Sequence, residues 1–164
     1  MFTLEQFLVE QIFYHMLSPW YITGFCEGES AFTYNRQGQY NINLYFAIRL
    51  RADDKELLTK IKNFFGVGRL YQVKARPPGR FSGNTQTAIY YRVNKHRELA
   101  RIIEHFDQYP LTGKKTKNYQ LWKEIYLLKA QYKKSVYPHI WELISEISKL
   151  SSKNTTSKAN IKHG

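Results

Sequence analysis

Between Trp20 and Phe32 the chain reads WYITGFCEGESAF, and few local structures satisfy all of it. Ile22, Phe25 and Cys26 recur at i, i+3, i+4, which places them on one apolar helical stripe. Thr23, Gly24 and Gly28 leave another side of the same helix almost bare. Glycine costs roughly 1 kcal/mol relative to alanine inside a helix, so two glycines four positions apart predict close backbone approach by another element. Glu27 and Glu29 arrive together at the C-terminal end, where the helix macrodipole disfavours carboxylates. An ordinary amphipathic helix with a Gly-rich C-cap accounts for part of this pattern. A helix whose bare side and terminal acids have a use accounts for all of it.

Around this stretch the chain alternates helical and strand-like periodicity. Thr3 with Gln6 predicts a capping box for a first helix, with Leu4, Phe7, Leu8, Ile12 and Met16 on its apolar face and Ser18-Pro19 at its end. The glycine-bearing helix is expected from about Pro19. Residues 31–51 read as a hairpin turning near Gln37-Gly38-Gln39. In its second strand Ile42, Leu44, Phe46, Ile48 and Leu50 point one way, and Asn41, Asn43, Tyr45, Ala47, Arg49 and Arg51 the other. One apolar face and one basic, amide-rich face is the pattern of an antiparallel sheet with a wet side. Asp53 is placed to cap a helix bearing Leu57, Leu58, Ile61, Phe64 and Phe65, closed by Gly66. A second hairpin is expected from about Gly68 to Val93, with Pro77-Pro78-Gly79-Arg80 in its connection. Asn94 begins a helix carrying Leu99, Ile102, Ile103 and Phe106. Two more helices, over 114–131 and 136–150, carry Leu121, Trp122, Ile125 and Ile140, Trp141, Ile144, Ile147.

The resulting organisation is an N-terminal helix over 1–18, one α+β domain over 19–150, and a basic tail over 151–164 whose Ser, Thr, Lys and Asn content predicts disorder. At 164 residues the chain has the length of about one domain. Twenty-five Lys and Arg against thirteen Asp and Glu leave a net charge of +12, which suits a polyanion such as nucleic acid ahead of an acidic membrane. A single cysteine excludes an intramolecular disulfide and a Cys-based zinc cluster, and no HExxH spacing suggests a zinc hydrolase. No apolar run is long enough to span a bilayer, so no membrane role is expected. With Glu5 and Glu10 and no early basic residue, the N-terminus reads as neither signal nor transit peptide. That predicts an intracellular protein made where it works, in a bacterial cytoplasm or in a mitochondrion or chloroplast that encodes it.

The segment Ile22–Ser30 resembles the nine-residue motif of the LAGLIDADG homing endonucleases. Glycine at the third place (Gly24), a small residue at the seventh (Gly28) and acids at the sixth and eighth (Glu27, Glu29) all match, with Trp20 before and Phe32 after. Thr23 for the usual alanine and Ser30 for the closing glycine are departures, both small. FAIRLRADDKELLTKIKNFFGVG (46–68) and FDQYPLTGKKTKNYQLW (106–122) are similar to further family segments, so the resemblance covers roughly Pro19 to Lys129. It implies the αββαββα fold with one curved four-stranded antiparallel sheet. Only one motif copy is present, which in this family implies a homodimer packed on the motif helices through Thr23, Gly24 and Gly28. Two symmetry-related Glu29 carboxylates repel unless cations lie between them.

The resemblance further implies a Mg²⁺-dependent endodeoxyribonuclease, with Mn²⁺ or Ca²⁺ as substitute ions, that leaves short 3′ overhangs in a long pseudo-palindromic target. Glu29 aligns with the metal-binding acid and the Gly28 carbonyl lies beside it in sequence. Lys114 aligns with a basic residue near the active site, with Lys115 or Lys117 taking that place under a small shift. The role of Glu27 stays open between ligand and helix end. Leu50 stands where some relatives have glutamine. Recognition of double-stranded DNA is assigned to the polar sheet face: Thr33, Asn35, Gln37, Asn41, Asn43, Tyr45, Arg49 and Arg51 from the first hairpin, and Arg69, Tyr71, Lys74, Arg76, Arg80 and Arg92 from the second, whose phase the sequence leaves open. Arg to guanine and Asn or Gln to adenine are the expected pairings. The alternative is a non-catalytic binder on the same fold, a DNA-binding regulator or a maturase with intron RNA as partner.

Overall fold

A computed structural model describes residues 3, 17–37, 41–75, 77, 86–131 and 137–152. The expected helix over 1–18, the turn at Gly38-Gln39, and the tail beyond residue 152 lie outside the described residues, as do Arg76 and Arg80.

Ser18 sets the first described helix. Its side chain accepts the Tyr21 backbone N–H at 3.1 Å, Pro19 occupies the first turn, and helix α1 runs Pro19–Glu29. Both choices relieve the unpaired N–H groups of a helix start. At the other end the Ser30 hydroxyl donates to the Cys26 carbonyl at 2.7 Å. Ser30 is extended, with φ −88° and ψ 162°, so this exit to a strand has no requirement for glycine. Strand β1 (Ser30–Gln37) follows directly, then β2 (Asn41–Arg51), a 3₁₀ turn (Ala52–Asp54), α2 (Lys55–Phe65), β3 (Arg69–Val73), β4 (Ala88–Val93), α3 (His96–Gln108), α4 (Lys115–Ala130) and α5 (Tyr137–Ser152). The strands form one antiparallel sheet in the order β1-β2-β4-β3. This is the expected α+β fold, with the order αββαββα from α1 through α3, followed by the two helices α4 and α5.

Two local readings change. Asp53 does not cap α2; its carboxylate pairs with Arg51 at 3.1 Å, and a 3₁₀ turn intervenes before Lys55. Asn94 likewise yields to Lys95 at the start of α3. Gly66 closes α2 as expected, left-handed at φ 70° and donating its N–H to the Lys62 carbonyl.

The described residues cluster into two compact units, one drawn from within 1–31 and 45–111 and one from within 32–44 and 112–152. In the first, Ile22 and Cys26 of α1 are fully buried, as are Phe46 and Ile48 of β2, Leu58 and Ile61 of α2, Tyr91 and Val93 of β4, and Ile102 of α3. Phe46 stands at the centre of this core, with ring centroids 5.9 Å from Phe65, 6.1 Å from Phe106 and 6.2 Å from Tyr91. Burial pushes the Tyr91 phenol well above its ordinary range; its hydroxyl donates to the Val67 carbonyl at 2.9 Å.

In the second unit Trp122, Ile125, Ile140, Ile144 and Ile147 are buried, as are Phe32, Ile42 and Leu44. Trp122 lies 5.5 Å from the Phe32 ring and donates its indole N–H to the Thr33 carbonyl at 3.0 Å. The Lys129 ammonium donates to the Ile42 carbonyl, and burial lowers its pKa. His139 is pinned by two carboxylates, with Nε2 2.9 Å from Glu124 and Nδ1 3.2 Å from Glu142, and both raise its pKa. Among the described residues no helix is long and apolar enough to cross a membrane.

Candidate functional site

Helix α1 has two unlike sides. Ile22 and Cys26 face inward, and so does Thr23, only 5% exposed, which takes it off the bare side of α1 where the sequence places it with Gly24 and Gly28. The Thr23 hydroxyl donates to the Tyr109 carbonyl at 2.9 Å. Its single hydrogen is thereby used, so at 3.1 Å from His105 Nε2 it accepts, and His105 carries its proton on Nε2. The opposite side presents Tyr21, Gly24, Phe25 and Gly28 at i, i+3, i+4, i+7. Trp20 and Tyr21 are 59% and 45% exposed, and a Cβ added at Gly24 or Gly28 would meet no atom within 4 Å. Exposed Tyr21, half-buried Phe25 and a bare glycine channel are the surface left over once α1 has packed on its own fold. Phe25 thus stands apart from the Ile22–Cys26 side where the sequence places it.

His105 was not singled out by the sequence. It is 7% exposed, with the rings of Phe64 and Phe65 each at 5.3 Å and Phe106 at 4.8 Å. Burial lowers its pKa from 6.5 to about 4. The folded state therefore resists a proton that the unfolded chain accepts. Stability is unaffected above pH 6.5, falls as pH drops from 6.5 towards 4, and levels off below that. The loss expected by pH 4 is about 3 kcal/mol. Urea unfolding at pH 7 and pH 4 measures it, and the H105F variant should lose most of that slope.

Glu29, the last residue of α1, is exposed, and no ion pair or hydrogen bond engages its carboxylate among the described residues. Glu27, two residues earlier and on a different side of the helix, is half-buried. Lys114 is exposed and stands at the N-cap position of α4; it belongs to the second unit and Glu29 to the first. Lys117 lines a pocket with Glu146, Lys149 and Leu150. Leu50 pairs with Ile89 and continues the apolar face of β2, so this strand end carries no polar side chain towards the core. Among the described residues no three His, Cys, Asp or Glu gather as a metal cage.

The register settles which sheet residues share a face. Ala47, Arg49 and Arg51 pair with Arg92, Tyr90 and Ala88, and Arg92 and Tyr90 pair in turn with Arg69 and Tyr71. In the first unit one face therefore carries Tyr45, Arg49, Arg51, Arg69, Tyr71, Tyr90 and Arg92. This phases the second hairpin: Arg69 and Tyr71 join the basic face, while Leu70 and Gln72 point to the other. Lys74 is exposed just beyond β3. Two cation–aromatic stacks lie on this face, Arg92 at 3.7 Å over Tyr45 and Arg49 at 5.4 Å over Tyr90. In the second unit Tyr34 bonds Ser148 at 2.9 Å and Arg36 lies over Trp141 at 5.2 Å. The even positions of β1 thus meet the helices, which leaves Thr33 and Asn35 on the opposite face. On β2, Asn41 is exposed and Asn43 half-buried while Ile42 and Leu44 are buried. Gln37 ends β1.

The family model for LAGLIDADG endonuclease matches residues 22–126. An uncharacterized 50.9 kDa protein in ND4 intron 1 of Podospora anserina is 32% identical over 121 residues, covering 68% of this chain and 24% of that protein. A probable intron-encoded endonuclease, Cox1-I1b of Schizosaccharomyces pombe, is 30% identical over 112 residues, 66% of this chain and 27% of that one. Among solved structures, the LAGLIDADG meganuclease I-CpaMI bound to uncleaved DNA matches with a TM-score of 0.60 and 30% identity, covering 70% of this chain and 37% of its own. The homing endonuclease I-TnaI shares the fold at a TM-score of 0.67 and 20% identity, covering 86% of this chain and 98% of its own. The chain spans about a quarter of the length of the curated relatives it matches.

Proposed function

We propose, for a chain that belongs to the LAGLIDADG endonuclease family, that it is a site-specific DNA homing endonuclease acting as a homodimer. The observation that carries this reading is Glu29, an exposed and unengaged carboxylate at the end of a helix whose neighbouring side is bare glycine. A carboxylate is disfavoured at a helix C-terminus, and a divalent cation reverses the sign of that local charge. Two of the relatives named above, a probable intron-encoded endonuclease and a meganuclease bound to uncleaved DNA, support the same direction. The P. anserina relative lies in an ND4 intron and another match is a mitochondrial protein of Saccharomyces cerevisiae, which supports an intron-encoded organellar protein.

The donor set fits a hard cation. Glu29 and the Gly28 carbonyl would hold Mg²⁺ through oxygen, with Mn²⁺ or Ca²⁺ as substitutes, and Mg²⁺ is commonly held by one or two carboxylates with waters and substrate phosphates. When bound, such an ion supplies Lewis-acid chemistry at the scissile phosphodiester. Lys114 is the proposed basic partner at the reacting phosphate. Each chain cuts one strand, leaving short 3′ overhangs. Thr33, Asn35, Gln37, Asn41, Asn43, Arg49, Arg51, Arg69, Tyr71, Lys74, Arg76, Arg80 and Arg92 supply the groove and phosphate contacts, with Tyr45 beneath Arg92 on the same face.

Gly24 and Gly28 form the proposed twofold contact, with Thr23 holding α1 from beneath. The variant G24A separates assembly from folding. With open space at the Cβ position, alanine should stabilise the isolated chain by up to about 1 kcal/mol while weakening self-association. Sedimentation and thermal melting check the two effects; a dimer undisturbed by Gly24→Leu would remove this face from the interface.

The test of function is cleavage of a plasmid carrying the uninterrupted host locus that flanks the gene's insertion point. A single Mg²⁺-dependent double-strand cut is the expected result. The second reading, a non-catalytic binder on this fold, is favoured by Leu50, which contributes no polar group where some relatives have one. Tight, salt-sensitive binding without a cut would select it, with intron RNA the next ligand to try.

A further inference from the structure

We propose that Arg92 is a guanine-reading residue whose aim is set by Tyr45, and that Tyr45 is a positioning residue rather than a reader. This rests on the DNA-binding reading above and names what one part of that surface recognises. The guanidinium carbon of Arg92 lies over the Tyr45 ring, 3.7 Å from its centroid, which is direct contact with the ring face. It reaches Tyr45 because the residue directly opposite Arg92 on β2 is Ala47. A methyl group there leaves the diagonal open, and diagonal neighbours on a sheet face lie within reach of long side chains.

Three further features point to a ligand. Arg92 Nε is buried with no hydrogen-bond partner among the described residues, so the inner edge of the guanidinium is committed to packing and its outer Nη groups remain to donate. Arg92 also pairs directly with Arg69 on the neighbouring strand β3, a like-charge pair that an isolated sheet disfavours and that an electronegative partner relieves. Finally, the residue is half-buried, which fixes its direction before binding. A phosphate oxygen accepts from a mobile arginine in many directions. A pre-aimed planar fork instead suits the two in-plane acceptors O6 and N7 of guanine. Arg49 over Tyr90, at 5.4 Å, is a looser version of the same pairing.

Selection of duplexes from a randomised DNA library, with Ca²⁺ present, tests this with the full chain. The wild type is expected to enrich a sequence containing a guanine whose replacement weakens binding about 10- to 100-fold. R92A and R92K should both lose preference at that position. Y45A should lose preference at the same position with an unchanged salt slope, and Y45F should keep it. A47L, which blocks the diagonal, should reproduce Y45A. If R92A instead weakens all sequences alike and lowers the salt slope by about one, Arg92 holds a phosphate and the proposal fails. It fails equally if Y45A alters a different position from R92A. A wild type that enriches nothing overturns the DNA-recognition reading itself, before any variant is compared.

Discussion

Glu29→Gln should abolish DNA cutting while leaving the fold at least as stable as before. The substitution keeps size and hydrogen-bonding shape and removes one negative charge. If the carboxylate holds a divalent cation, losing it forfeits several kcal/mol of transition-state stabilisation, or a fall in rate on the order of 10³-fold or more. The stability effect runs the other way. Glu29 ends α1, where the macrodipole opposes a carboxylate by roughly 0.3–1 kcal/mol, and no partner among the described residues offsets it. A residue kept for structure loses stability when neutralised; one kept for chemistry loses only rate. Cleavage assays beside thermal melts read both at once. Undiminished cutting by the variant would remove Glu29 from the metal site.

The largest structural effect is expected at Gly68. Its φ is 80°, and an added Cβ would lie 2.7 Å from Val93 Cγ2, 2.8 Å from the Arg92 carbonyl and 2.8 Å from Tyr91 Cε2. Alanine there combines left-handed strain of about 1–2 kcal/mol with overpacking of about 1–3 kcal/mol. Backbone is among the atoms struck, so side-chain adjustment alone gives no relief. The Gly68 N–H also donates to Glu98 at 3.2 Å, which ties the strand entry to α3. A loss of roughly 3 kcal/mol would lower Tm by about 6–12 °C for a chain of this size. Gly66 is the internal control. It shares the left-handed backbone, at φ 70°, but its Cβ position is open, so G66A should cost only the strain. Equal melting shifts in the two variants would show that the contacts at Gly68 relax freely.

Much of this fold is legible from periodicity alone. The i, i+3, i+4 spacing of Leu99, Ile102, Ile103 and Phe106 and the alternation of Ile42, Leu44, Phe46 and Ile48 each record a buried side, and all these residues are buried, although Ala47 on the other face of β2 is buried too. Asp53 was misleading for a local reason: the same carboxylate that caps a helix can pair with an arginine two residues back. The phase of β3 was not legible because Arg69, Tyr71 and Lys74 occupy both parities, and only pairing with β4 resolves them. Of the candidate site, Glu29 was visible because its motif is contiguous in sequence. Tyr90 was not, nor was the role of Ala47, because both depend on which residue lies opposite on another strand. His105 carried no signal at all beyond its place on the apolar side of α3.

The stacks on the sheet face bear on how this protein would be retargeted. If Arg92 takes its direction from Tyr45 and Arg49 from Tyr90, the heritable unit of base preference is a couple of positions rather than one. A library that randomises position 92 alone tests every replacement against a platform built for arginine, and most such replacements would present no defined edge to a base. Varying 45 with 92, and 49 with 90, keeps reader and support matched. The neighbouring alanine at 47 then limits how bulky any new couple can be.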